Sequence, residues 1–188
     1  KIEPVLNMNS PLSRNSSPSR RSLQTALNEI YRKNSVKDSL RIRELQNEDY
    51  HKGYYELLSQ LADSPKMTQE EFESQLYAIQ NESPIHKIIV FEDVLTGDVI
   101  ATGTVFLERK FLRKNASAAH IEDIVVNSKF RQNGYGKLLI SVLKDVALEA
   151  GAYKIILDCK ESNIPFYQKT GFEVAGVEMK LYTEKIRR

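Results

Sequence analysis

The chain has 188 residues and a formal net charge of +2 at pH 7, with 41% hydrophobic and 28% charged residues, which is ordinary for a globular domain. No stretch approaches the roughly 18 consecutive apolar residues of a membrane-spanning helix, and a single cysteine excludes an internal disulfide or a multi-cysteine zinc site. The net charge is too small to indicate nucleic-acid binding by itself.

The first 39 residues differ in composition from the rest. They carry 7 Lys and Arg against 3 Asp and Glu, a net charge of +4, whereas the remainder carries −2. Residues 1–22 are rich in Ser, Arg, Asn and Pro, which predicts a flexible extension because few apolar side chains are available for burial. Helical spacing over 22–31 predicts a short helix that docks or swaps. We therefore divide the chain into a flexible, basic, Ser-rich extension, 1–39, and a folded domain, 40–188.

The folded domain is predicted to begin with a strand and two helices. Residues 40–45 alternate between apolar and polar side chains, as in a half-buried strand. Apolar residues at helical spacing follow Asn47, and a second helix is predicted from Thr68, where Glu71 completes a capping box. Three strands follow over 87–94, 99–111 and 119–126, with a hairpin turn at Thr96-Gly97-Asp98.

The second half of the domain predicts a strand–loop–helix unit. Its helix spans 136–150, ends at Gly151, and is followed by a strand over 153–159 and a short helix over 164–169. A last strand pair is predicted over Phe172–Val174 and Val177–Tyr182. The order β-α-α-β-β-β-α-β-α-β is typical of an α/β (α+β) fold with a mixed sheet.

The most informative segment joins the strand that ends at Val126 to the following helix. Two loop glycines let consecutive backbone N–H groups converge at a helix N-terminus, which predicts a phosphate or pyrophosphate site. A Walker loop is excluded because Lys137 is not followed by Ser or Thr. A dinucleotide fingerprint is excluded because Leu139 stands where the third glycine belongs. The pattern that remains is Arg-x-x-Gly-x-Gly, from Arg131 to Gly136.

This pattern resembles the acetyl-CoA loop of the GNAT superfamily of N-acetyltransferases. Later motifs match in the family's order: Asp158, Asn163, Phe166-Tyr167 and Gly171-Phe172. Further segments resemble one family within it, the eukaryotic glucosamine 6-phosphate N-acetyltransferases: His120-Ile121-Glu122-Asp123, Tyr153-Lys154 and Gly176-Val177-Glu178-Met179. The resemblance, which covers about residues 40–182, implies a GNAT fold: a mixed, mostly antiparallel sheet flanked by helices, with splayed central strands.

The resemblance implies that acetyl-CoA binds as a co-substrate. Its pantetheine arm would pair with the splayed strand at Ile124, Val125 and Val126, and its pyrophosphate would lie on the glycine loop. The other implied cofactor-binding residues are Arg131, Gln132, Asn133, Gly134, Tyr135, Gly136, Lys137, Asn163, Tyr167 and Lys169. For Asn163, a role as helix cap is the alternative. No metal is expected, since the three histidines lack metal-ligand spacing.

The resemblance also implies an acceptor site for an amino-sugar phosphate. Tyr167 would protonate the departing sulfur, Glu122 would contact the sugar or take the amine proton, and Asp158 would orient the amine. Because Glu122 and Asp123 are adjacent on a strand, we expect them to face opposite sides. The implied substrate-binding residues are Lys110, Arg113, Glu122, Asp123, Tyr153, Lys154 and Asp158. Two positions depart from the family: Ala62 replaces a threonine and Tyr182 replaces a basic residue.

The implied reaction is direct acetyl transfer from acetyl-CoA to glucosamine 6-phosphate in a ternary complex, which would supply UDP-N-acetylglucosamine synthesis. The implied enzyme is a cytoplasmic homodimer with an exchanged C-terminal strand that binds neither nucleic acid nor membrane. No apolar run near the start of the chain resembles a secretory signal.

Other interpretations stay open on the sequence alone. The acceptor could be another small amine or a protein N-terminus, which would favour an acidic groove beside Glu122. The domain could bind acyl-CoA without catalysis, or the basic extension could bind nucleic acid. Cys159 could act as a nucleophile in a ping-pong mechanism, although free cysteines in folded proteins more often only pack.

Overall fold

The computed structural model describes residues 23–34, 39–82 and 85–182. Five strands form one sheet, in chain order: β1 (Leu40–Glu44), β2 (His86–Asp93), β3 (Val99–Arg109), β4 (Ser117–Val126) and β5 (Ala152–Ile156). Neighbouring strands are antiparallel except for β4 and β5, which are parallel. The mixed, mostly antiparallel sheet predicted from the sequence is therefore confirmed.

In the described ranges, six helices accompany the sheet: α1 (Leu23–Asn34), α2 (Tyr54–Leu58), α3 (Gln69–Glu82), α4 (Leu112–Asn115), α5 (Tyr135–Glu149) and α6 (Ile164–Gln168). The capping box before α3 is confirmed, because the Thr68 N–H donates to Glu71 Oε2 at 2.8 Å and the Glu71 N–H donates to Thr68 Oγ1 at 3.3 Å. Gly151, with φ of 83°, ends α5 as expected. α4 is a left-handed turn rather than a regular helix, since φ is positive at residues 113–115.

The sheet separates two apolar clusters. On one face, α1 and α5 pack on the strands, and the buried side chains include Leu27, Ile89, Ile121 and Leu143. On the other face, α2 and α3 cover a smaller cluster that includes Tyr54, Phe72, Leu76 and Val90. Burying one such side chain contributes about 1.5–3 kcal/mol. The two clusters therefore hold β4 and its neighbours from both sides.

An ionic network fixes the segment that leads from β1 to α2. The Arg43 guanidinium donates to both carboxylate oxygens of Asp49 at 2.7 Å and lies 2.6 Å from Glu92 Oε2. Burial favours the neutral form of Glu92, but the Arg43 hydrogen bond and the charges of Arg43, Lys52 and Arg41 outweigh it and lower the pKa of this carboxyl. The 3₁₀ turn Asn47–His51 is thereby tied to two strands immediately before α2.

The predicted C-terminal strand pair is wrong for the single chain. Within the described residues, 172–182 form no strand, and Val177, Met179 and Leu181 are 93%, 95% and 93% exposed. A strand needs a neighbour to satisfy its backbone groups, and β5 remains at the edge of the sheet. Two other strands are also shorter than predicted, because β3 ends at Arg109 and β5 at Ile156.

The short helix predicted near the N-terminus forms as α1 and docks. Ala26, Leu27 and Tyr31 are buried, and the last two belong to the same cluster as the inner face of α5. We therefore count α1 with the folded domain, although it lies inside the range 1–39 that the sequence assigned to a flexible extension. Residues 1–22 and 35–38 lie outside the described residues, as does the basic C-terminal run at 185–188.

We expect Leu27→Ala to lower the free energy of unfolding by about 2–5 kcal/mol, because it removes a fully buried side chain between α1 and α5. Urea denaturation of the full chain measures the loss. Gln24→Ala, at an exposed position of the same helix, is the control and should change stability by less than about 0.5 kcal/mol. Equal stabilities of the two variants would show that α1 does not dock in solution.

Candidate active site

The centre of the sheet opens where β4 and β5 separate. The pairing of these parallel strands runs from Ser117↔Ala152 to His120↔Ile156 and, in the described part of the chain, goes no further. β4 nevertheless continues to Val126, still paired with β3 on its other side. Its backbone groups after His120 therefore face a gap rather than a neighbouring strand. This confirms the splayed central strands expected from the sequence.

A β-bulge lies in β4 at the mouth of this gap. Thr102 pairs with Val125 and Thr104 with Glu122, so β4 has one residue more than β3 between these pairs. The bulge includes Asp123, whose φ of 52° is in the left-handed region. For a residue other than glycine this conformation costs of the order of 1–3 kcal/mol, so surrounding contacts must hold it.

The bulge overturns the expectation that Glu122 and Asp123 face opposite sides of the sheet. Thr104, the cross-strand partner of Glu122, lines a cleft of about 410 Å³ beneath α2 and α3, and Asp123 lines the same cleft. Ile124 takes the opposite face, where it packs against the α5 cluster. Both carboxylates are therefore presented on the face away from α5. Side chains do not alternate strictly between the two faces here, because the extra residue in β4 puts two consecutive side chains on the same face.

The glycine loop has the shape of an anion-binding turn. Gln132 and Gly134 have φ of 69° and 82°, and α5 begins directly after Gly134. The first intrahelical bond is donated by the Leu138 N–H to the Gly134 carbonyl at 3.1 Å, so the N–H groups of the first turn point out of the helix end. A 15-residue helix with no acidic residue in its first turn suits a diphosphate at this end.

Side chains around the loop suit the same ligand. Arg131 Nε donates to the Val126 carbonyl at 3.2 Å, which ties the loop to the end of β4 and leaves the residue exposed. A Cβ on Gly136 would lie 3.3 Å from the Phe166 ring, so this position favours glycine. Asn163 precedes α6, but its side chain makes no capping bond to that described helix, which disfavours the helix-cap alternative. Lys137 lies in the first turn of α5 and Lys169 directly follows α6, and both residues are exposed.

Tyr167 is half buried on the α5 side of the sheet. Its ring packs edge-on against Phe166 and Phe172, with centroid distances of 5.0 Å and 6.2 Å. Burial raises the pKa of the Tyr167 phenol above its ordinary value, and the nearby Cys159 thiol raises it further. The phenol therefore keeps its proton at neutral pH. It lines a cleft of about 400 Å³ between β5 and residues 172–178, together with Asp158 and Cys159.

Glu122 is the centre of an acidic group. Burial is the main cause that raises the pKa of its carboxyl, and the charges of Asp158, Asp123 and Glu178 raise it further. His120, two residues earlier on the same strand face, opposes this effect. A half-buried carboxylate with a raised pKa is a better proton acceptor than an exposed one. The structure thus places the charges of Asp123 and Asp158 close enough to act on Glu122, although the sequence predicted that Asp123 faces the other side.

Basic side chains form a separate group at the start of β5. The Arg113 guanidinium lies 5.2 Å, and the Lys154 ammonium 5.8 Å, from the centroid of the Tyr153 ring. These three predicted substrate-binding residues therefore meet. Lys110, the fourth predicted basic or aromatic residue, is paired with Glu108. Glu108 also lies 3.1 Å from His120, whose ring stacks on Phe106.

The two departures from the family pattern lie at exposed positions. Ala62 is in the loop between α2 and α3, and Tyr182 is at the end of the described chain. Lys180, in the same C-terminal segment, forms an ion pair with Glu178 at 3.0 Å. Its pKa is raised chiefly by that bond, and Asp158 contributes to the same effect. A lysine of the C-terminal segment therefore lies near the acidic group.

Sequence reasoning missed the residues that support the bulge. Gly103 stands opposite the bulge, where a Cβ would lie 2.8 Å from Leu143 Cδ1. Tyr54 lies on the other face, where it lines the same cleft as Asp123. A glycine inside the strand pattern Thr102-Gly103-Thr104 is the one signal that could have indicated a bulge. Nothing in the local pattern marks Tyr54, which looks like any core aromatic.

Comparison with known proteins places this geometry in a family. Residues 40–172 match the model of the acetyltransferase (GNAT) family. The chain is 43% identical over 147 residues to glucosamine 6-phosphate N-acetyltransferase 1 of Dictyostelium discoideum, covering 78% of this chain and 93% of that protein. It is 40% identical to the glucosamine 6-phosphate N-acetyltransferase of Arabidopsis thaliana over 77% of this chain and 97% of the relative. The chain therefore belongs to the GNAT acetyltransferase family.

A solved structure agrees with this membership. The crystal structure of glucosamine-6-phosphate N-acetyltransferase from Arabidopsis thaliana superposes with a TM-score of 0.75 at 39% identity, covering 78% of this chain and all of that one. Within the described ranges, no three His, Cys, Asp or Glu residues are grouped to hold a metal ion. No helix in those ranges is long and apolar enough to cross a membrane.

We expect Glu122→Gln to lower kcat/KM for acetyl transfer by about 100-fold or more, because an amide cannot accept the amine proton. The same change should raise stability at pH 7. Burial raises the pKa of Glu122 in the folded state, so stability is lost as the pH rises above the unfolded-state pKa, and the loss is complete above the folded-state pKa. Urea unfolding at several pH values measures this gain.

The gain should vanish as the pH falls below the unfolded-state pKa of about 4.3, where Glu122 is protonated in both states. Glu70→Gln, at an exposed position on α3, is the matched control and should leave both activity and stability unchanged. Reduced stability of Glu122→Gln at pH 7 would contradict the inferred burial of this charge.

Proposed function

We propose that the chain transfers the acetyl group of acetyl-CoA to the amine of glucosamine 6-phosphate, giving N-acetylglucosamine 6-phosphate and CoA. The relatives that it matches over nearly their whole length carry this activity in their names. The observation that carries the proposal is the presence of two groups of opposite charge on neighbouring strands: the carboxylates around Glu122 on β4, and Arg113 and Lys154 around Tyr153 at the start of β5. Two such groups suit a molecule with an ammonium at one end and a phosphate at the other. We place the reaction in the cytoplasm, in the supply of UDP-N-acetylglucosamine.

The donor and the acceptor would meet through the gap between β4 and β5. Acetyl-CoA would enter from the α5 face, with its diphosphate on the loop 132–137 and its pantetheine arm along Ile124–Val126. Tyr167 lies on that face. Glu122 and Asp123 lie on the other face, where the sugar would bind. The thioester carbonyl would then lie in the gap, within reach of both groups.

The chemistry removes two protons from the nitrogen and supplies one to the sulfur. The ammonium of the sugar has no lone pair, so Glu122 takes one proton before or during attack. The amine nitrogen then forms a bond to the carbonyl carbon, and backbone N–H groups of the β4 bulge stabilise the oxyanion. The carbon–sulfur bond breaks as the carbonyl re-forms, and the leaving thiolate takes the Tyr167 proton. The nitrogen loses its second proton to solvent, giving the neutral amide, and a proton from solvent restores the Tyr167 phenol. Asp158 orients the amine, and no covalent bond to Cys159 is required.

A second acceptor class is also consistent with one observation. The carboxylates around Glu122 would attract any cationic amine, such as a polyamine or a protein N-terminus. The loss of a basic residue at Tyr182 weakens the expected phosphate site, although Arg113 and Lys154 supply cations around Tyr153. The two acceptor classes can therefore be distinguished by whether the rate of acetyl transfer depends on a phosphate group in the acceptor.

We expect glucosamine 6-phosphate to be the best acceptor in a panel that includes glucosamine, spermidine and a peptide N-terminus, followed by release of CoA thiol. Removal of the phosphate should reduce kcat/KM by about 10- to 100-fold, since charge-assisted bonds to Arg113 and Lys154 are lost. Preference for spermidine or the peptide would reject the sugar phosphate. Tight acetyl-CoA binding without any turnover would indicate a non-catalytic binding module.

Lys154→Met tests the same site from the protein side. The KM for glucosamine 6-phosphate should rise about 10-fold, while the KM for acetyl-CoA stays constant. Lys33→Met, an exposed lysine on α1, serves as the control.

We further propose that the enzyme is a homodimer that exchanges its C-terminal segment. Val177, Met179 and Leu181 alternate along this segment and are almost fully exposed in the single chain. Residues at alternate positions share one face of an extended strand, so the three would form one apolar face. The edge of β5 lies open across the 400 Å³ cleft from residues 172–178. A strand from a second copy would satisfy that edge and cover the exposed residues.

We expect light scattering to give twice the chain mass at micromolar concentration, and the double variant Met179→Asp/Leu181→Asp to give the mass of one chain. Both side chains are exposed in the single chain, so these changes should not unfold it. Tyr77→Asp, at an exposed aromatic on α3, is the control and should remain dimeric. A monomeric full chain would reject the exchange.

A further inference from the structure

A lysine of α5 is bound to the turn that follows α6. The Lys144 ammonium donates to the Thr170 carbonyl at 2.7 Å and lies 5.8 Å from the centroid of the Phe172 ring. A Cβ on Gly171, the residue between them, would lie 3.6 Å from Lys144 Nζ. Gly171 has φ of 90°, in the left-handed region, so the chain reverses tightly at this point. The ammonium therefore lies against all three residues of the turn 170–172.

The same turn holds Tyr167 by its main-chain carbonyl. The Tyr167 oxygen accepts hydrogen bonds from the Thr170 N–H at 2.9 Å, from the Thr170 hydroxyl at 2.7 Å and from the Phe172 N–H at 3.2 Å. The Phe172 ring also packs edge-on against the Tyr167 ring, with a centroid distance of 6.2 Å. The two residues that bind the Lys144 ammonium therefore both bind Tyr167, one through the backbone and the other through backbone and ring.

The short helix α6 depends on such contacts for its placement. It has five residues, and isolated helices of this length are not stable in water. At one point α6 lies against α5 through the Phe166 ring, which is 3.3 Å from a Cβ built on Gly136. Lys144 makes a second attachment eight residues further along α5, a distance of about 12 Å. Two attachments to one helix fix the direction of α6, whereas a single one would let it rotate.

An ammonium is not needed for packing at position 144. Methionine would keep an unbranched stem of similar length beside Phe172 and would remove no charge from water. What the ammonium adds is a directed, charge-assisted hydrogen bond to a main-chain carbonyl, which is stronger than a bond between neutral groups. Such a bond suits the task of holding one distance, between the helix that begins at the glycine loop and the helix that carries the Tyr167 phenol.

We propose that Lys144 is a positioning residue for proton transfer to the leaving sulfur: by holding the turn 170–172 against α5, it keeps the Tyr167 hydroxyl where the thiolate of CoA forms. This inference rests on the proposed function, because it takes acetyl-CoA as the donor and Tyr167 as the acid. In that step the carbon–sulfur electron pair passes to sulfur, the phenol proton moves to it, and solvent restores the phenol. Proton transfer requires heavy atoms within about 2.6–3.2 Å, so a small displacement of α6 lowers the rate without preventing binding.

The first test needs no ligand. Lys144→Met should speed amide hydrogen exchange at Thr170 and Phe172 by about 10-fold, because the turn opens more often once the ammonium is gone. Lys144→Arg keeps a cation with N–H donors and should restore slow exchange. Lys33→Met, which removes an exposed ammonium on α1, is the control and should leave this exchange unchanged. Unchanged exchange in Lys144→Met overturns the proposal.

The second test separates a displaced proton donor from general damage to the fold. It compares acetyl-CoA with its selenium analogue, acetyl-selenocoenzyme A, whose selenolate is much less basic and leaves without a proton. Lys144→Met should lower kcat with the thioester by about 10-fold, with the KM for acetyl-CoA changed by less than about 3-fold. Its rate with the selenoester should stay near that of the unmodified protein, and Tyr167→Phe should show the same dependence on the donor. An equal loss with both donors would mark Lys144 as merely structural and reject the proposal.

Double variants show whether Lys144 acts through Tyr167. In the Tyr167→Phe background, Lys144→Met should cause no further loss of kcat, because the proton that it positions is already absent. Additive losses would contradict the positioning role. If Lys144→Met does not fold, Thr170→Val removes the 2.7 Å bond to the Tyr167 carbonyl instead, and it must show the same dependence on the donor for the proposal to stand.

The outcomes also separate this inference from the proposed function. If Tyr167→Phe equals the unmodified protein with both donors, the acid and the role of Lys144 are rejected together. Donor dependence in Tyr167→Phe but not in Lys144→Met rejects the role of Lys144 alone. Turnover of another amine without turnover of glucosamine 6-phosphate rejects the acceptor, and the two donors are then compared with that amine.

Discussion

The separation of β4 from β5 is the constraint on which the rest of the site depends. Parallel pairing ends at His120↔Ile156, yet β4 runs on to Val126 because β3 still supports its other edge. A strand with one satisfied edge and one open edge can accept an extended ligand in place of a neighbour. The same gap joins the two faces of the sheet, so a donor held at the N-terminus of α5 can meet an acceptor that approaches from beneath α2.

The two candidate proton-transfer groups owe their chemistry to the same physical cause. Burial raises the pKa of both Glu122 and Tyr167, which makes the carboxylate a stronger base and keeps the phenol protonated. They lie on opposite faces of the sheet, one with the acidic group and one with the α5 cluster. An acetyl donor that enters from the α5 face would meet the proton donor Tyr167, and an amine that enters from the other face would meet the proton acceptor Glu122.

The parts of the molecule that depend on local pattern were predictable, and those that depend on pairing were not. The capping box at Thr68, the span of α5 and the glycine turn follow from signals within a few residues. The side of the sheet to which Asp123 points depends on the extra residue that β4 has relative to β3. Whether residues 172–182 form a strand depends on a neighbouring strand, which the described residues of the single chain do not supply. Tyr54 could not be placed at the site because it meets Asp123 across a cleft that only the folded chain forms.

The position of the exposed C-terminal segment has a consequence for how the protein is made. Every strand of the sheet and the buried residues of both apolar clusters precede Phe172, so they are synthesised before Val177, Met179 and Leu181. The segments that build the core are therefore available for folding before the exposed apolar side chains are added. Synthesis from one end to the other thus places folding before assembly, and it limits the time during which an unfinished chain displays an adhesive surface.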